Sequence, residues 1–219
     1  MSQRPGLRER KKQRTRSLIA DTARRLFAER GFEGVPVAEI AREADVSEAT
    51  VFNYFPTKED LFYSRLEAFE EALLEAIRRR QPGESVLAAF RAFVLDQRGV
   101  LAMQTSGGND EATKQLRTIT RVITESPALL ARERQVFARY AESLAALLAE
   151  ETGSAAQDVE PRAAANALLG VHRALIDYVR QRTLAGGRAP EIARETRAQA
   201  KRAFARLERG LGDYAVKGP

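Results

Sequence analysis

The side chains best suited to chemistry lie in one stretch, residues 37–58. It carries hydroxyl, carboxamide and ammonium groups within a short span, at Ser47, Thr50, Asn53, Tyr54 and Lys58. Groups of this kind donate hydrogen bonds to phosphate oxygens and to the edges of bases. The stretch therefore indicates side chains offered to DNA, provided that the backbone holds them on one exposed face.

Two short helices set at a sharp angle are predicted to position these groups. The first occupies residues 37–44, and the second begins at Ser47, whose hydroxyl can cap the free amides of its first turn. Asp45 tolerates the left-handed backbone conformation that ends a helix. A small residue, a turn four positions later and an aliphatic residue six beyond it form the spacing of a helix-turn-helix, here Ala41, Asp45 and Val51. The alternative interpretation is a helical hairpin that only packs.

The residues that follow favour DNA binding. Pro56 ends the second helix, and Thr57 with Asp60 can form a capping box that starts another. Here the chain resembles the TetR family of transcriptional repressors, whose signature is a Gly-aromatic pair and then I-A-x-x-A-x-V-S-x-x-T-hydrophobic-aromatic-x-Y/H-F-x-x-K-x-x-L. The matching positions are Gly31-Phe32, Ile40-Ala41, Ala44, Val46-Ser47, Thr50-Val51-Phe52, Tyr54-Phe55, Lys58 and Leu61.

Three residues depart from the family pattern within this match. Asp45 stands at the corner where the family usually has Gly, and Pro36 replaces the usual Thr at the start of the first helix of the motif. Phe52 stands where Tyr is common, so only an apolar contact remains at that position. We expect the fold to tolerate all three changes, while the set of phosphate contacts differs.

The resemblance implies a role for each residue of the recognition helix. Glu48 and Ala49 would lie at its exposed start, where base edges are met, and Asn53 would pair with a base or a phosphate. Thr50, Tyr54 and Lys58 would donate to phosphate. With the basic arm and the helix starts included, the predicted DNA-binding residues are Arg14, Arg16, Val37, Ser47, Glu48, Ala49, Thr50, Phe52, Asn53, Tyr54 and Lys58.

The placement of charge agrees with a double-stranded DNA partner. The chain has 219 residues and a formal net charge of +6. Residues 1–16 contain seven basic side chains and one acidic one, so this arm accounts for the whole net charge. A basic segment directly before a helix-turn-helix is the expected footprint of phosphate binding. A solubilising disordered tail, or one attracted to anionic membranes, is the alternative.

Little in the sequence favours an enzyme. The chain has no cysteine and one histidine, His172, which lies among apolar residues and is expected to be a core or interface residue. No Gly-rich phosphate loop is present, and we predict no catalytic site, no metal and no cofactor. No apolar run approaches the length of a membrane span and no signal peptide is visible, so we expect a cytoplasmic protein without a membrane partner.

The predicted fold is all-α. Ala, Leu, Arg and Glu dominate the composition, and the helical patterns suggest about nine helices, among them residues 15–30 and 58–80. We expect a basic disordered arm over residues 1–14 and a three-helix helix-turn-helix DNA-binding head over residues 15–57. A larger helical ligand-binding and dimerisation body would occupy residues 58–219.

The body is predicted to hold two further sites. The resemblance implies a homodimer formed by the last two helices. Small-residue and apolar faces on these helices predict its interface, with burial within one subunit as the alternative; the residues are Ala163, Ala167, Gly170, Ala174, Tyr178, Ile192, Ala203 and Leu207. A small apolar or amphipathic effector could occupy a pocket lined by Phe69, Phe93, Met103, Ile119, Phe137, Tyr140 and His172. Each aromatic residue taken singly is more often plain core. A ligand in such a pocket would release a repressor from a palindromic operator.

Overall fold

The computed structural model describes residues 6–64, 66–96, 109–155, 157–211 and 213–217. These ranges fold into ten helices, and their only β-pairing is one isolated bridge between Ser85 and Val216. The helices are α1 Leu7–Arg30, α2 Val37–Glu43, α3 Glu48–Tyr54, α4 Lys58–Phe62, α5 Leu66–Arg78, α6 Val86–Leu95, α7 Asn109–Glu125, α8 Pro127–Thr152, α9 Val159–Leu184 and α10 Ala189–Leu211. The prediction of an all-α chain is confirmed.

The chain divides into two compact units. The first combines Met1–Arg65 with Val122–Arg132, and the second combines Leu66–Arg121 with Glu133–Pro219. The end of α7 and the start of α8 therefore belong to the same unit as the helix-turn-helix. The predicted division into functional domains, with its boundaries near residues 14 and 57, stays a prediction.

The first unit has its own aromatic core. The ring centroids of Phe27 and Phe32 are 5.1 Å apart, and Phe62 lies 6.0 Å from Phe27 and 6.2 Å from Phe32. Ile19 and Leu61 are buried in the same unit. α1 packs against both α2 and α4. Burial of such rings is the main stabilising term for a unit this small.

Helix α1 begins earlier than predicted. Its first residue is Leu7 rather than Thr15, so the prediction of a disordered arm to residue 14 is wrong over residues 7–14. The reason is intrinsic propensity: this segment contains Arg, Lys, Glu and Gln, all good helix formers, and neither Gly nor Pro. Gly31, with φ 77°, ends the helix as expected.

The helix predicted over residues 58–80 is two helices in the structure. α4 ends at Phe62 and α5 starts at Leu66, which explains ten helices where about nine were expected. The break contains neither Gly nor Pro. Instead, Tyr63 at its start donates a hydrogen bond from its hydroxyl to the carbonyl oxygen of Leu129, at 3.1 Å. A contact so distant in sequence leaves no local pattern.

The second unit is organised around a continuous apolar core. Helices α5, α6, α8, α9 and α10 contribute to it, with Leu73, Phe90, Leu144, Leu168 and Phe204 among its fully buried side chains. α10 packs along α9 and also against α6. The apolar faces predicted for the last two helices are therefore largely buried against other helices of the same chain.

A buried arginine joins three separate parts of this unit. Arg80 lies at the end of α5 with its side chain 1% exposed, and its guanidinium bonds both carboxylate oxygens of Glu151, at 3.0 and 2.5 Å. It also donates to the carbonyl oxygens of Ile77 and Ala215, at 2.7 and 2.9 Å. A planar guanidinium with five donors suits such a junction.

We predict that Arg80→Met lowers the free energy of unfolding by about 3 kcal/mol, because it leaves a carboxylate and several carbonyl groups without their buried partner. Urea unfolding at a fixed protein concentration measures the change. Arg79→Met is the matched control, since Arg79 is exposed and pairs with Glu75 four residues earlier, and it should stay within about 0.5 kcal/mol of the parent. Equal losses in the two variants would contradict the assigned role of Arg80.

Candidate functional site

The corner between α2 and α3 has the geometry that a helix-turn-helix requires. Asp45 adopts φ 54°, the left-handed conformation predicted for it, and the amide of Val46 donates to the carbonyl oxygen of Ala41 at 3.0 Å. Ser47 caps α3 as predicted, accepting a hydrogen bond from the amide of Thr50 at 3.1 Å. Ala41 is buried, so only a small side chain fits there.

One face of α3 is anchored and the other is open to solvent. Val51 is completely buried, and Phe55 directly after the helix is also buried. The opposite face exposes the four side chains predicted to meet base edges or to make apolar contact, Glu48, Ala49, Phe52 and Asn53. Phe52 is 46% exposed, which is unusual for a ring without a partner surface. The recognition face therefore stands free of the core of its own unit.

The flanks of this face hold the remaining hydrogen-bonding groups. Thr50 and Tyr54 are half-buried, and the hydroxyl oxygens of Thr50 and Ser47 share a hydrogen bond of 2.8 Å. Val37 is half-buried at the first position of α2, directly after Pro36. The hydroxyls sit beside the free amides of the α3 start, where an anion is electrostatically favoured.

Two of the predicted DNA-binding cations contact aromatic rings of the same unit. The guanidinium carbon of Arg16 lies 4.8 Å from the ring centroid of Phe55, and the ammonium nitrogen of Lys58 lies 4.4 Å from that of Phe32. Burial lowers the pKa of Lys58 from its ordinary value. Arg14 is exposed on α1, as are the basic side chains of the turns before it. Cation–π contacts hold two of these charges in position and leave the others in solvent.

The carboxylate of Asp60 accepts two sets of hydrogen bonds at the start of α4. Asp60 completes the predicted capping box, accepting hydrogen bonds from the amide and hydroxyl of Thr57 at 3.1 and 2.7 Å. The other oxygen of the same carboxylate accepts from Arg132, at 2.6 Å from its Nη2 atom and 3.1 Å from its Nε atom. Sequence reasoning missed Arg132, since nothing in its neighbourhood signals a partner 72 residues away.

A second polar contact ties the start of α8 to the same unit. Ser126 caps α8, accepting a hydrogen bond from the amide of Leu129 at 3.3 Å, and its hydroxyl also donates to the carboxylate of Glu33 at 2.7 Å. Glu33 lies between α1 and α2, so the cap residue reaches the segment that leads into the helix-turn-helix. A cap can be predicted from local sequence, whereas its second partner cannot.

Five of the seven predicted pocket residues form one aromatic cluster in the second unit. The ring centroid of Phe69 lies 5.3 Å from that of Phe93, 5.7 Å from that of Tyr140 and 5.0 Å from that of His172. Phe137 lies 5.9 Å from Tyr140 and 5.6 Å from His172. Of the other two, Ile119 is half-buried on α7, and Met103 lies outside the described residues.

His172 supplies the imidazole of this cluster. It is 3% exposed, and its Nδ1 atom has no hydrogen-bond partner within the described ranges. Burial lowers the pKa of His172 to about 4, so the imidazole is neutral at pH 7. Among the residues with described positions, no group of three or more His, Cys, Asp or Glu side chains could hold a metal ion.

The predicted dimer residues separate into exposed and internal ones. Ala163, Gly170 and Ala174 are exposed on α9, and Ala167, Ala203 and Leu207 are half-buried. The hydroxyl of Tyr178 donates to Glu195 at 3.0 Å. Ile192 is completely buried within its own protomer and leaves no surface for a partner, so we no longer assign it to the interface.

The chain is similar to known regulatory proteins over both units. The family described as "Bacterial regulatory proteins, tetR family" matches residues 19–64, and the "MftR C-terminal domain" family matches residues 84–212, more than half of the chain. Within the described ranges, each helix is too short or too polar to cross a membrane.

Individual relatives are also transcriptional regulators. The chain is 35% identical to the HTH-type transcriptional regulator TcmR of Streptomyces glaucescens over 130 residues, which cover 58% of this chain and 55% of that protein. It therefore spans about half the length of TcmR. Identity to the putative mycofactocin biosynthesis transcriptional regulator MftR of Mycobacterium tuberculosis is 28% over 160 residues, covering 70% of this chain and 73% of the other. The solved structure of Salmonella enterica GusR has a similar fold, with a TM-score of 0.54 at 21% identity, covering 90% and 95% of the two chains.

We predict that Asp45→Gly raises the free energy of unfolding by roughly 0.5–1 kcal/mol, because Gly adopts the left-handed conformation at φ 54° without a steric cost. Asp45→Ala should lower it by a similar amount, since Ala lacks even the local polar compensation that Asp has. Thermal or urea unfolding of both variants measures the effect. Stabilisation by Ala relative to Asp would contradict strain at this corner.

We predict that His172→Phe removes part of the acid sensitivity of the protein. Above pH 6.5 the histidine is neutral in both the folded and the unfolded protein. As the pH falls towards 4, the unfolded chain gains a proton that the folded protein does not bind. The parent should lose roughly 3 kcal/mol more than the variant over this range. Urea unfolding at several pH values tests this, with carboxylate titration common to both proteins. Parallel pH curves would show that the imidazole is not buried in its neutral form.

Proposed function

Because the chain belongs to the TetR family of bacterial regulatory proteins, we propose that it is a repressor that binds a palindromic operator as a homodimer and leaves it when a small ligand binds. That it is a transcriptional regulator with a DNA-binding domain follows from the family. The repression, the dimer and the ligand are our proposal, and so is its place of action, the cytoplasm, where the DNA lies.

The observation that carries this proposal is the free outer face of α3. Val51 anchors the helix from beneath, while Glu48, Phe52 and Asn53 point into solvent on the other side. A helix held in this way can enter the major groove of B-DNA, which is wide enough to admit it. Neither a membrane adaptor nor an enzyme needs such a face.

We assign phosphate contacts to the flanks of α3 and base contacts to its outer face. Thr50, Tyr54, Lys58 and the arginines of α1 supply hydroxyl and cationic groups for phosphate. Asn53 suits an adenine, Glu48 suits a cytosine, and Phe52 suits a thymine methyl group. Val37 and Ser47, at the two helix starts, complete the proposed set.

The dimer is proposed to form through the exposed small-residue face of α9. Ala163, Gly170 and Ala174 allow the backbone of a second helix to approach closely. Tyr178 of α9, together with Ala203 and Leu207 of α10, would border the contact. A two-fold dimer presents two recognition helices to two half-sites, and this symmetry accounts for a palindromic operator.

Ligand release is proposed to act through the aromatic cluster of Phe69, Phe93, Phe137, Tyr140 and His172. A ligand that favours one conformation of the helical body shifts the protein towards that conformation. If the same conformation spaces the two heads wrongly for DNA, the ligand lowers the affinity for the operator, and the operator lowers the affinity for the ligand by the same factor.

Selection of bound sites from random duplex DNA tests the proposal directly. We expect recovery of a pseudo-palindrome whose half-sites lie about one helical turn apart. Anionic lipid vesicles serve as the comparison, because the basic start of α1 would also attract them. Binding to vesicles without enrichment of any DNA sequence would favour a membrane adaptor instead.

We predict that Lys58→Met weakens binding to all DNA sequences alike and lowers the slope of log affinity against log salt by about one unit. Met keeps the apolar contact with Phe32 while removing the charge. Fluorescence anisotropy over a range of salt concentrations on the selected operator measures the slope.

Asn53→Ala is the matched contrast to the lysine variant. It should leave the salt slope unchanged and reduce the free-energy difference between the right and the wrong base at one position by about 1–3 kcal/mol. An unchanged salt slope in Lys58→Met would remove this lysine from the phosphate contacts. Uniform weakening by Asn53→Ala would likewise remove the asparagine from base recognition.

A further inference from the structure

The aromatic cluster in the second unit contains a buried polar atom for which the described residues supply no hydrogen-bond partner. The imidazole of His172 stacks on Phe69 with an interplanar angle of 19° and meets Phe137 at 60°. Its Nδ1 atom is buried and lacks a hydrogen bond within the described residues. A buried nitrogen of this kind is costly unless something supplies the missing bond.

Two rings of the cluster are partly exposed to solvent. Tyr140, Phe93 and His172 are buried, whereas Phe69 and Phe137 are only half-buried. Both half-buried rings contact the imidazole of His172. A flat apolar molecule could stack there, as aromatic rings do at separations of about 4.5–7 Å.

Charged residues close in sequence to members of the cluster form ion pairs and hydrogen bonds. Glu70, next to Phe69, accepts from Arg139 at 2.9 Å and from Ser143 at 2.7 Å. Arg180 and Glu133 form another ion pair on α9 and α8. A charged ligand would have to displace one of these pairs or be buried without a counter-ion, and both are costly.

We propose that this cluster binds an uncharged aromatic molecule whose hydroxyl group hydrogen-bonds to Nδ1 of His172. A hydroxyl suits either tautomer of a neutral imidazole, because it can donate to a bare nitrogen or accept from a protonated one. The proposal deepens the ligand-responsive part of the proposed function and rests on it, since it names the class of effector. Apolar stacking supplies most of the affinity, and the hydroxyl supplies the selectivity.

The test compares two probes of the same shape, 2-naphthol and 2-methylnaphthalene. We expect the full-length protein to bind 2-naphthol about fivefold to tenfold more tightly, the effect of one net hydrogen bond. His172→Phe keeps an aromatic ring but lacks the nitrogen, so its preference for the hydroxyl should disappear while 2-methylnaphthalene still binds.

The imidazole of His172 can be observed directly by NMR in the unmodified sequence. His172 is the only histidine, so protein labelled with ¹⁵N-histidine gives the signals of one imidazole. The Nδ1 resonance should shift on addition of 2-naphthol and change little with 2-methylnaphthalene. Equal affinities for the two probes, binding that leaves Nδ1 unperturbed, or no binding of either probe would each overturn the proposal.

An operator-release assay separates this inference from the proposed function. Binding of 2-naphthol at His172 without loss of operator affinity would support the site and contradict ligand release through it. Operator binding that responds to other compounds, with no binding of 2-naphthol at His172, would leave the repressor proposal standing and overturn only the class of ligand assigned here.

Discussion

The close approach of α2 and α3 is the constraint on which the DNA-binding surface depends. Ala41 is small enough to let the two helices meet, Val51 fills the contact from the other side, and both are buried. The left-handed backbone at Asp45 turns the chain within the space that this contact allows. Since the inner face of α3 is fixed, its outer side chains keep a defined spacing before any DNA arrives, and less entropy is lost on binding.

Several capping residues in the first unit also act as tertiary anchors. Asp60 satisfies the start of α4 and holds Arg132, and Ser126 satisfies the start of α8 and bonds Glu33. Each polar side chain thus stabilises one helix end and fixes its position relative to another element. The contacts of Asp60 help to keep α4, a helix of only five residues that is marginal by itself, in place.

The features that could be predicted from sequence are those with local chemistry. Ser47, Asp45, Gly31 and the Thr57–Asp60 pair each signal a cap or a corner within a few residues, and the structure confirms all of them. The missed features depend on partners far along the chain. The break after Tyr63 meets Leu129, and Arg80 meets Glu151 and Ala215, contacts for which hydrophobic periodicity holds no information.

Two further features do not follow from local sequence: the start of α1 and the role of the aromatic cluster. The basic charge of residues 7–14 favours a disordered arm, whereas their high helix propensity, which prevails in the structure, favours a helix. The cluster members were known to be aromatic and apolar, but a spacing along a helix cannot tell a packed core from a binding site. Whether the cluster binds a ligand stays a prediction; among the described residues, Nδ1 of His172 has no hydrogen-bond partner.

The first unit is discontinuous in the chain, and this affects how the protein can be recombined with its relatives. Residues Val122–Arg132 belong to the same compact unit as Met1–Arg65. A chimera that exchanges only the amino-terminal segment would set a foreign Asp60 or Glu33 position against the native Arg132 and Ser126. An exchange of DNA specificity between family members therefore has to include both segments, or be confined to the solvent-facing positions of α3.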